Sequence, residues 1–410
     1  MEDRNKNIPA KFYYIWDYIE WGGAQVLFFG LMKEAKKMGE VTVIMPENSS
    51  PQLLKFLHNI GVKCKFFAAH TDTKNAATFK RKLAKHRNKI KSELALLKFL
   101  KNFDFQNSII HTELAPWQSL YALRRLTKKT HVFVTMHNSL PPVSKWRFKL
   151  WQAKFRLLTR SKNFHLFAAN HNTRESLKPF VSKEFYETIK VIYANINPEE
   201  IEEARKIEID KSRFLEKYKI PNNKFLVFCV GQFIDRKGRW VFLEAARQLL
   251  ENTDDIAFVW ISNYAASRED LEKAESFGLG ENFIFLTGDQ IGEEHIDLFK
   301  LMRLADVFAL PSYVEGLPIS ILEAMALGVA TISTRINAIP EAVKHLETGW
   351  LIEPGDTEAL RDAIRQLKDD PKLRSKLAEQ GREYVLEKFD QRTVAKIAVE
   401  SYVEAFQNVV

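Results

Sequence analysis

Two glutamates, Glu315 and Glu323, stand at the ends of the string Glu-Gly-Leu-Pro-Ile-Ser-Ile-Leu-Glu, separated by seven residues. The string follows an apolar run and opens a helical pattern, which puts Glu323 about 1.4 turns into the helix. One ligand could therefore contact both carboxylates, and carboxylates accept hydrogen bonds from paired sugar hydroxyls such as those of a ribose or a hexose. The alternative is that both are solvated charges at a helix start, where the dipole favours them.

The backbone between the two glutamates predicts an anion site. Pro318 suits the first position of a helix because its missing N–H is not needed there. The N–H groups of Gly316, Leu317 and the first turn would then point out of the helix start, which is a suitable environment for a diphosphate.

A second candidate loop, Gly231–Gly238, also lies between a predicted strand and a predicted helix. It carries Arg236 and Lys237, and a lysine on such a loop can neutralise phosphate charge. Taken alone, the loop could equally be a basic surface turn.

Two weaker signals lie in the first half of the chain. Gly22-Gly23 precedes a predicted helix but lacks the third glycine of a dinucleotide-binding fingerprint, so a tight turn is an equal alternative. His137 directly follows a predicted strand and so belongs at the carboxyl edge of a sheet. His111 is a second, weaker candidate at a similar strand end.

Several kinds of chemistry are excluded by missing motifs. No Asp-x-Asp occurs, so no carboxylate pair is available in that form to hold a metal–diphosphate complex, and we predict no metal site. The Walker A loop, Gly-x-Ser-x-Gly and His-Glu-x-x-His are also missing. The 2 cysteines are too few for a cysteine-based zinc module and fit a reducing compartment.

The elements that must position these residues alternate between strand and helix along the whole chain. Short apolar runs separated by amphipathic helices predict parallel sheets of βαβ units, and the pattern restarts near residue 225. The 410 residues suffice for two or three domains. The turn-rich Asn195–Pro198 marks the boundary. We therefore predict two doubly wound Rossmann-like domains, residues 1–197 and 198–390, facing each other across a cleft.

Composition and charge describe a globular chain with two unlike halves. Hydrophobic residues make up 46% and charged residues 28%, which excludes a disordered or fibrous chain. Residues 1–200 hold 34 Lys and Arg against 16 Asp and Glu, whereas residues 201–410 hold 27 against 36. Basic helices are predicted over 74–101 and 145–162, with apolar residues between the charges. The amino terminus has no apolar region typical of a signal peptide, and no stretch is long enough to span a membrane.

The string from Glu315 to Glu323 resembles the Glu-x7-Glu signature of family 4 retaining glycosyltransferases, which have the GT-B fold. The preceding Ala305–Ser312 and the following Glu323–Gly328 are also similar to that family, and Gly22-Gly23 resembles its amino-terminal glycine loop. The similarity covers most of residues 12–390 and is weakest between residues 60 and 190, where acceptors bind in this family.

The resemblance implies a role for each candidate residue. Lys237 would contact the donor diphosphate, with Arg236 beside it, and Glu323 would bind the ribose. Glu315 and the Gly316–Leu317 backbone would hold the transferred sugar and phosphate. His137 matches the histidine that contacts the sugar. A last helix, residues 391–410, would return to the first domain, and transfer would proceed with retention and without a metal or other cofactor.

The implied function is transfer of a hexose from a nucleotide diphosphate sugar to an acceptor. The interleaved basic and aromatic residues of the first half favour a lipid or lipid-linked glycan acceptor, with the protein at the cytoplasmic face and in peripheral contact with anionic membrane. The alternative is that the basic face is solvated, with its aromatic residues in the core. The acceptor would then be soluble. A nucleotide-sugar epimerase of the same fold is a second alternative. An inactive sugar-binding subunit is a third, because Gln232 stands where the family commonly has Arg. No recognition motif supports nucleic-acid binding.

Overall fold

The computed structural model describes residues 9–17, 23–69, 79–292 and 294–407. The chain divides into two compact units. The first consists of Met1–Tyr193 together with Arg392–Val410, and the second of Ala194–Gln391. Each unit contains one parallel sheet with helices around it.

Seven parallel strands form the first sheet in the order β3-β2-β1-β4-β5-β6-β7. The chain builds outwards from β1 to β3 and then adds β4 on the other side of β1. Ligands of doubly wound sheets bind at the carboxyl ends of the strands beside such a reversal. The strands are β1 (Lys11–Ile15), β2 (Glu40–Pro46), β3 (Lys63–Phe67), β4 (Ser108–Thr112), β5 (His131–Met136), β6 (Phe164–Ala168) and β7 (Lys190–Val191).

Six parallel strands form the second sheet in the order β10-β9-β8-β11-β12-β13. Its reversal lies between β8 and β11, which are paired neighbours although two strands separate them in sequence. The loops that follow these two strands therefore leave the same edge side by side. The strands are β8 (Phe225–Val230), β9 (Ile256–Ser262), β10 (Phe283–Thr287), β11 (Val307–Leu310), β12 (Ala330–Thr334) and β13 (Trp350–Ile352).

Both sheets have strands that are buried on their two faces, as parallel sheets covered by helices require. Every residue of β5 and of β9 is buried. The predicted doubly wound α/β character of both halves is confirmed. The predicted alternation of strand and helix is present in both halves.

The helices cover the sheets and connect successive strands. None of those in the described ranges is long and apolar enough to cross a bilayer. In the first unit they are α1 (Gly23–Ala35), α2 (Pro51–Asn59), α3 (Phe79–Phe99), α4 (Leu120–Leu126), α5 (Lys145–Thr159), α6 (His171–Leu177), α7 (Lys183–Thr188) and α18 (Gln391–Gln407). In the second unit they are α8 (Pro198–Lys206), α9 (Lys211–Lys217), α10 (Arg239–Leu250), α11 (Arg268–Glu275), α12 (Gly288–Ile291), α13 (His295–Met302), α14 (Ile319–Ala326), α15 (Ile339–Ala342), α16 (Thr357–Asp369) and α17 (Pro371–Lys388).

Helix α3 buries only part of its apolar repeat. Two of its apolar residues, Ile90 and Leu94, are 47% and 53% exposed. The buried stripe runs along a different face, and two polar residues within it hide its periodicity. Its members are Ser92, Glu93 and Leu96.

Helix α18 is held on the first unit by a buried polar contact. The Tyr402 side chain is completely buried, and its hydroxyl lies 2.5 Å from His111 Nδ1. The other ring nitrogen of His111 lies 2.6 Å from Thr135 Oγ1. Burial, with a smaller effect of His137, lowers the pKa of His111, so its ring is neutral in the fold. His111 is therefore a buried residue of the first unit.

Replacing Tyr402 should destabilise the first unit. We expect Tyr402→Ala to cost about 3 to 5 kcal/mol, because it leaves a large cavity and removes the hydroxyl that contacts His111. Urea unfolding followed by circular dichroism measures the change. Lys396→Ala, on the exposed side of the same helix, is the matched control and should change stability by less than about 0.5 kcal/mol. Equal midpoints for the two variants would contradict the anchoring role.

Candidate functional site

The loops after β8 and β11 approach each other so closely that only glycine fits at one position. Gly238 has φ +75°, and a Cβ atom there would lie 1.9 Å from the carbonyl oxygen of Pro311. The Arg236 carbonyl also accepts a hydrogen bond from the Tyr313 N–H, at 2.8 Å. The two predicted candidate loops therefore form one continuous surface at the carboxyl edge of the second sheet.

Glu315 is the centre of this surface. It is 9% exposed, and its Oε1 lies 2.6 Å from the Lys237 ammonium. The Ser312 hydroxyl donates to the same oxygen at 2.9 Å, and an Arg236 guanidinium nitrogen lies 3.4 Å from Oε2. A buried carboxylate needs such partners, because isolating it from water is costly.

The cations of the second loop are both close to Glu315. The resemblance implies that Lys237 contacts the donor diphosphate, with Arg236 beside it, and that role stays a prediction. In the structure both cations contact Glu315, and Arg236 also donates to the Val314 carbonyl. The Arg236 side chain remains 45% exposed, whereas Lys237 is 12% exposed. A bound anion at this loop would share these cations with Glu315.

The helix that carries Glu323 begins one residue later than predicted. Pro318 is the residue before the helix, in an extended conformation, and α14 starts at Ile319. Gly316 and Leu317 lie in the connecting loop, and Pro318 lies outside the helix. The reason is that Pro318 adopts ψ 124°, which is outside the helical region. The N–H groups at the helix start are those of Ile319 and Ser320.

Glu323 has a histidine partner that the sequence did not reveal. The carboxylate is 5% exposed, and His295 Nε2, on α13, lies 3.0 Å from Glu323 Oε1. The other ring nitrogen of His295 lies 3.8 Å from Glu200 Oε2 on α8. Both residues are far from Glu323 along the chain and belong to no motif.

The two carboxylates keep His295 protonated. Burial alone would lower its pKa, but Glu323 and Glu200 together raise it from 6.5 to about 10. Because the folded pKa is raised, the stabilisation is complete below the ordinary value and is lost as the pH rises through about 10. His295 is therefore a cation throughout the neutral range.

His137 lies beyond the end of β5 in the first unit and has an acidic neighbour. Its Nε2 is 2.7 Å from Glu113 Oε1, and Glu113 follows the adjacent strand β4. The Glu113 side chain is 8% exposed and that of His137 is 22% exposed. Gly22 lies outside the described residues, and Gly23 is the first residue of α1.

The architecture of the described residues is the GT-B fold of glycosyltransferase structures. A glycosyltransferase from Rickettsia africae ESF-5 is 17% identical, with a TM-score of 0.76 over 97% of this chain and 99% of that one. Anabaena Alr3699/HepE in complex with UDP is 15% identical, with a TM-score of 0.73 over 96% of this chain and 100% of that one.

Part of the second unit is similar in sequence to a known family. Residues 210–384 match the model of the glycosyl transferases group 1 family. A GDP-mannose-dependent alpha-(1-6)-phosphatidylinositol monomannoside mannosyltransferase from Mycolicibacterium smegmatis is 28% identical over 190 residues, 45% of this chain and 48% of that protein. The match spans about half the length of that relative. Over the matched range, the chain is similar to group 1 glycosyltransferases.

Substituting Gly238 should separate the two loops. A side chain at a positive φ costs about 1 to 2 kcal/mol by itself. We expect Gly238→Ala to destabilise the protein by more than this, because the new Cβ would overlap the Pro311 carbonyl oxygen. Chemical unfolding measures the difference. Gly278→Ala isolates the conformational cost, since Gly278 has φ +68° and nothing within 4 Å of its Cβ position. Similar losses in both variants would mean that the loops tolerate separation.

Proposed function

We propose that the protein is a glycosyltransferase that moves a hexose from a nucleotide diphosphate sugar to an acceptor. The observation that carries the proposal is the pairing of Glu315 with Lys237 and Arg236 at the reversal point of the second sheet. The match of residues 210–384 to the group 1 family supports it. The names of the relatives mention GDP-mannose in one case and UDP in another, so both bases are candidates.

The proposed donor site uses the loops at the carboxyl edge of the second sheet. Lys237 would turn towards the donor diphosphate, with Arg236 beside it, while Glu315 and the Gly316–Leu317 backbone hold the sugar and its phosphate. Glu323 would accept hydrogen bonds from the ribose. The resemblance assigns His137 a contact with the sugar.

The proposed reaction retains the configuration at the anomeric carbon and needs no metal. The acceptor oxygen forms its bond to that carbon as the bond to the phosphate oxygen breaks, on the same face. The departing phosphate takes the acceptor proton. Because negative charge grows on the phosphate during this step, a nearby ammonium and guanidinium lower the barrier.

Loss of Lys237 tests the donor site. We expect Lys237→Ala to lower the rate of donor hydrolysis roughly a hundredfold to a thousandfold, because it removes a charge that faces the developing anion. The assay is a panel of UDP- and GDP-sugars without acceptor, followed by released nucleotide diphosphate. Glu315→Gln should also lose activity. Arg268→Ala, at a side chain that is 91% exposed in the same unit, is the control.

The same panel separates the alternatives. Failure of every donor to bind or hydrolyse would overturn the proposed function. Interconversion of one nucleotide sugar into another, without acceptor, would instead identify an epimerase.

For the acceptor we propose a lipid or lipid-linked glycan, reached by peripheral contact with the cytoplasmic face of an anionic membrane. Helix α5 supports this choice. It exposes Trp146 (65%), Leu150 (44%) and Leu157 (38%) among lysines and arginines, and it contains no Asp or Glu. An apolar surface with a basic surround is the composition of membrane-surface helices.

Some aromatic side chains of this segment pack in the core, and others are exposed. Phe155 is buried, and Phe148 and Trp151 pack partly buried against the core of the first unit. These three residues are accounted for by the fold. Trp146, Leu150 and Leu157 are the apolar residues that remain available for a membrane.

Charge removal on α5 tests the membrane contact. The double variant Lys145→Gln and Lys149→Gln should weaken sedimentation with phosphatidylserine-containing vesicles roughly thirtyfold, at about 1 kcal/mol for each lysine near the surface. Lys372→Gln with Lys376→Gln, an exposed pair of the same spacing on α17, is the matched control. Binding that is insensitive to salt and to both pairs would contradict the contact.

A further inference from the structure

Glu323 needs a partner in order to work as a ligand. Glu323 is 5% exposed and stands in the second turn of a helix whose other residues, apart from Ser320, are apolar. A buried carboxylate without a counter-charge takes up a proton or moves its side chain, and either change would weaken it as a hydrogen-bond acceptor at this position. The group that fixes the Glu323 side chain therefore determines whether it can bind a hydroxyl.

His295 is placed to do this. It begins α13, its Nε2 lies 3.0 Å from Glu323 Oε1, and among the described residues it is the one side chain that pairs with Glu323. The contact occupies one carboxylate oxygen. The second oxygen can then accept a hydrogen bond from a ligand while the side chain stays in place.

Glu200 completes the arrangement from a third helix. Its Oε2 lies 3.8 Å from His295 Nδ1, so the imidazolium stands between two carboxylates. These two are the charged groups that face His295 from α8 and α14, and both favour its protonated form. Both ring nitrogens of protonated His295 carry a hydrogen, so the nitrogen next to Glu323 is always a donor. No change of tautomer can remove this hydrogen bond.

We propose that His295 is a positioning residue for the nucleotide donor: it holds Glu323 so that the free carboxylate oxygen receives the ribose hydroxyls. The inference rests on the proposed function, because it assumes a nucleotide at Glu323. It assigns no contact between His295 and the donor. Its effect is on donor binding through Glu323 alone.

The test is a comparison of ligands with and without ribose hydroxyls. The binding of UDP and GDP, and of their 2′,3′-dideoxy analogues, is measured by calorimetry on the full chain. We expect His295→Ala to weaken binding of the better nucleotide tenfold or more, because a charge-assisted contact is lost. The same variant should bind the dideoxy analogue as the wild type does. Glu323→Gln should show the same pattern.

Two further variants separate positioning from general damage to the fold. His295→Gln keeps an N–H that can reach Glu323 and should recover part of the affinity. Glu200→Gln should change the affinity less than His295→Ala does. With the best donor, His295→Ala should raise KM more than it lowers kcat.

The outcomes are distinct. Equal losses for UDP and its dideoxy analogue, or a fall in kcat with KM unchanged, would overturn the positioning role and leave the proposed function intact. Failure of the wild type to bind either nucleotide would overturn the proposed function, and the inference with it.

Discussion

The burial of the Glu315 carboxylate is the constraint on which the candidate site depends. A charge that is 9% exposed is stable only if cations and donors reach it, and they come from two strands that are far apart in sequence. Gly238 makes this possible, because its missing side chain lets the loop after β8 pass over the carbonyl of Pro311. Lys237 then reaches Glu315 at 2.6 Å. The ion pair therefore depends on the close approach of the two loops, and the close approach depends on the strand order.

The sequence predicts the strands well because each is a short apolar run between turns. All six residues of β5 are buried, and so are five of the six residues of β8. The buried face of helix α3 could not be predicted in the same way, because Ser92 and Glu93 are buried while Ile90 and Leu94 are exposed. A repeat of apolar letters cannot reveal a stripe that contains polar residues.

The candidate site was predictable as far as local motifs extend. Glu315, Glu323 and Lys237 stand in strings that signal a strand-to-helix turn. His295 does not, because its role comes from Glu323 and Glu200, which reach it only after α8, α13 and α14 pack together. The pairing of Lys237 with Glu315 was missed for a similar reason. The loops were recognised separately, and their contact depends on strand order.

Helix α18 makes the first unit discontinuous along the chain, and this has a consequence for its synthesis. The strands of the first sheet leave the ribosome before the whole of Ala194–Gln391, whereas Tyr402 follows it. At the rate of bacterial or eukaryotic translation the delay is roughly 10 to 40 s. During that interval the His111 ring lacks the Tyr402 hydroxyl, and the apolar surface on which α18 packs is uncovered. The second unit is continuous and is synthesised within that interval, so the first unit is the last to be completed.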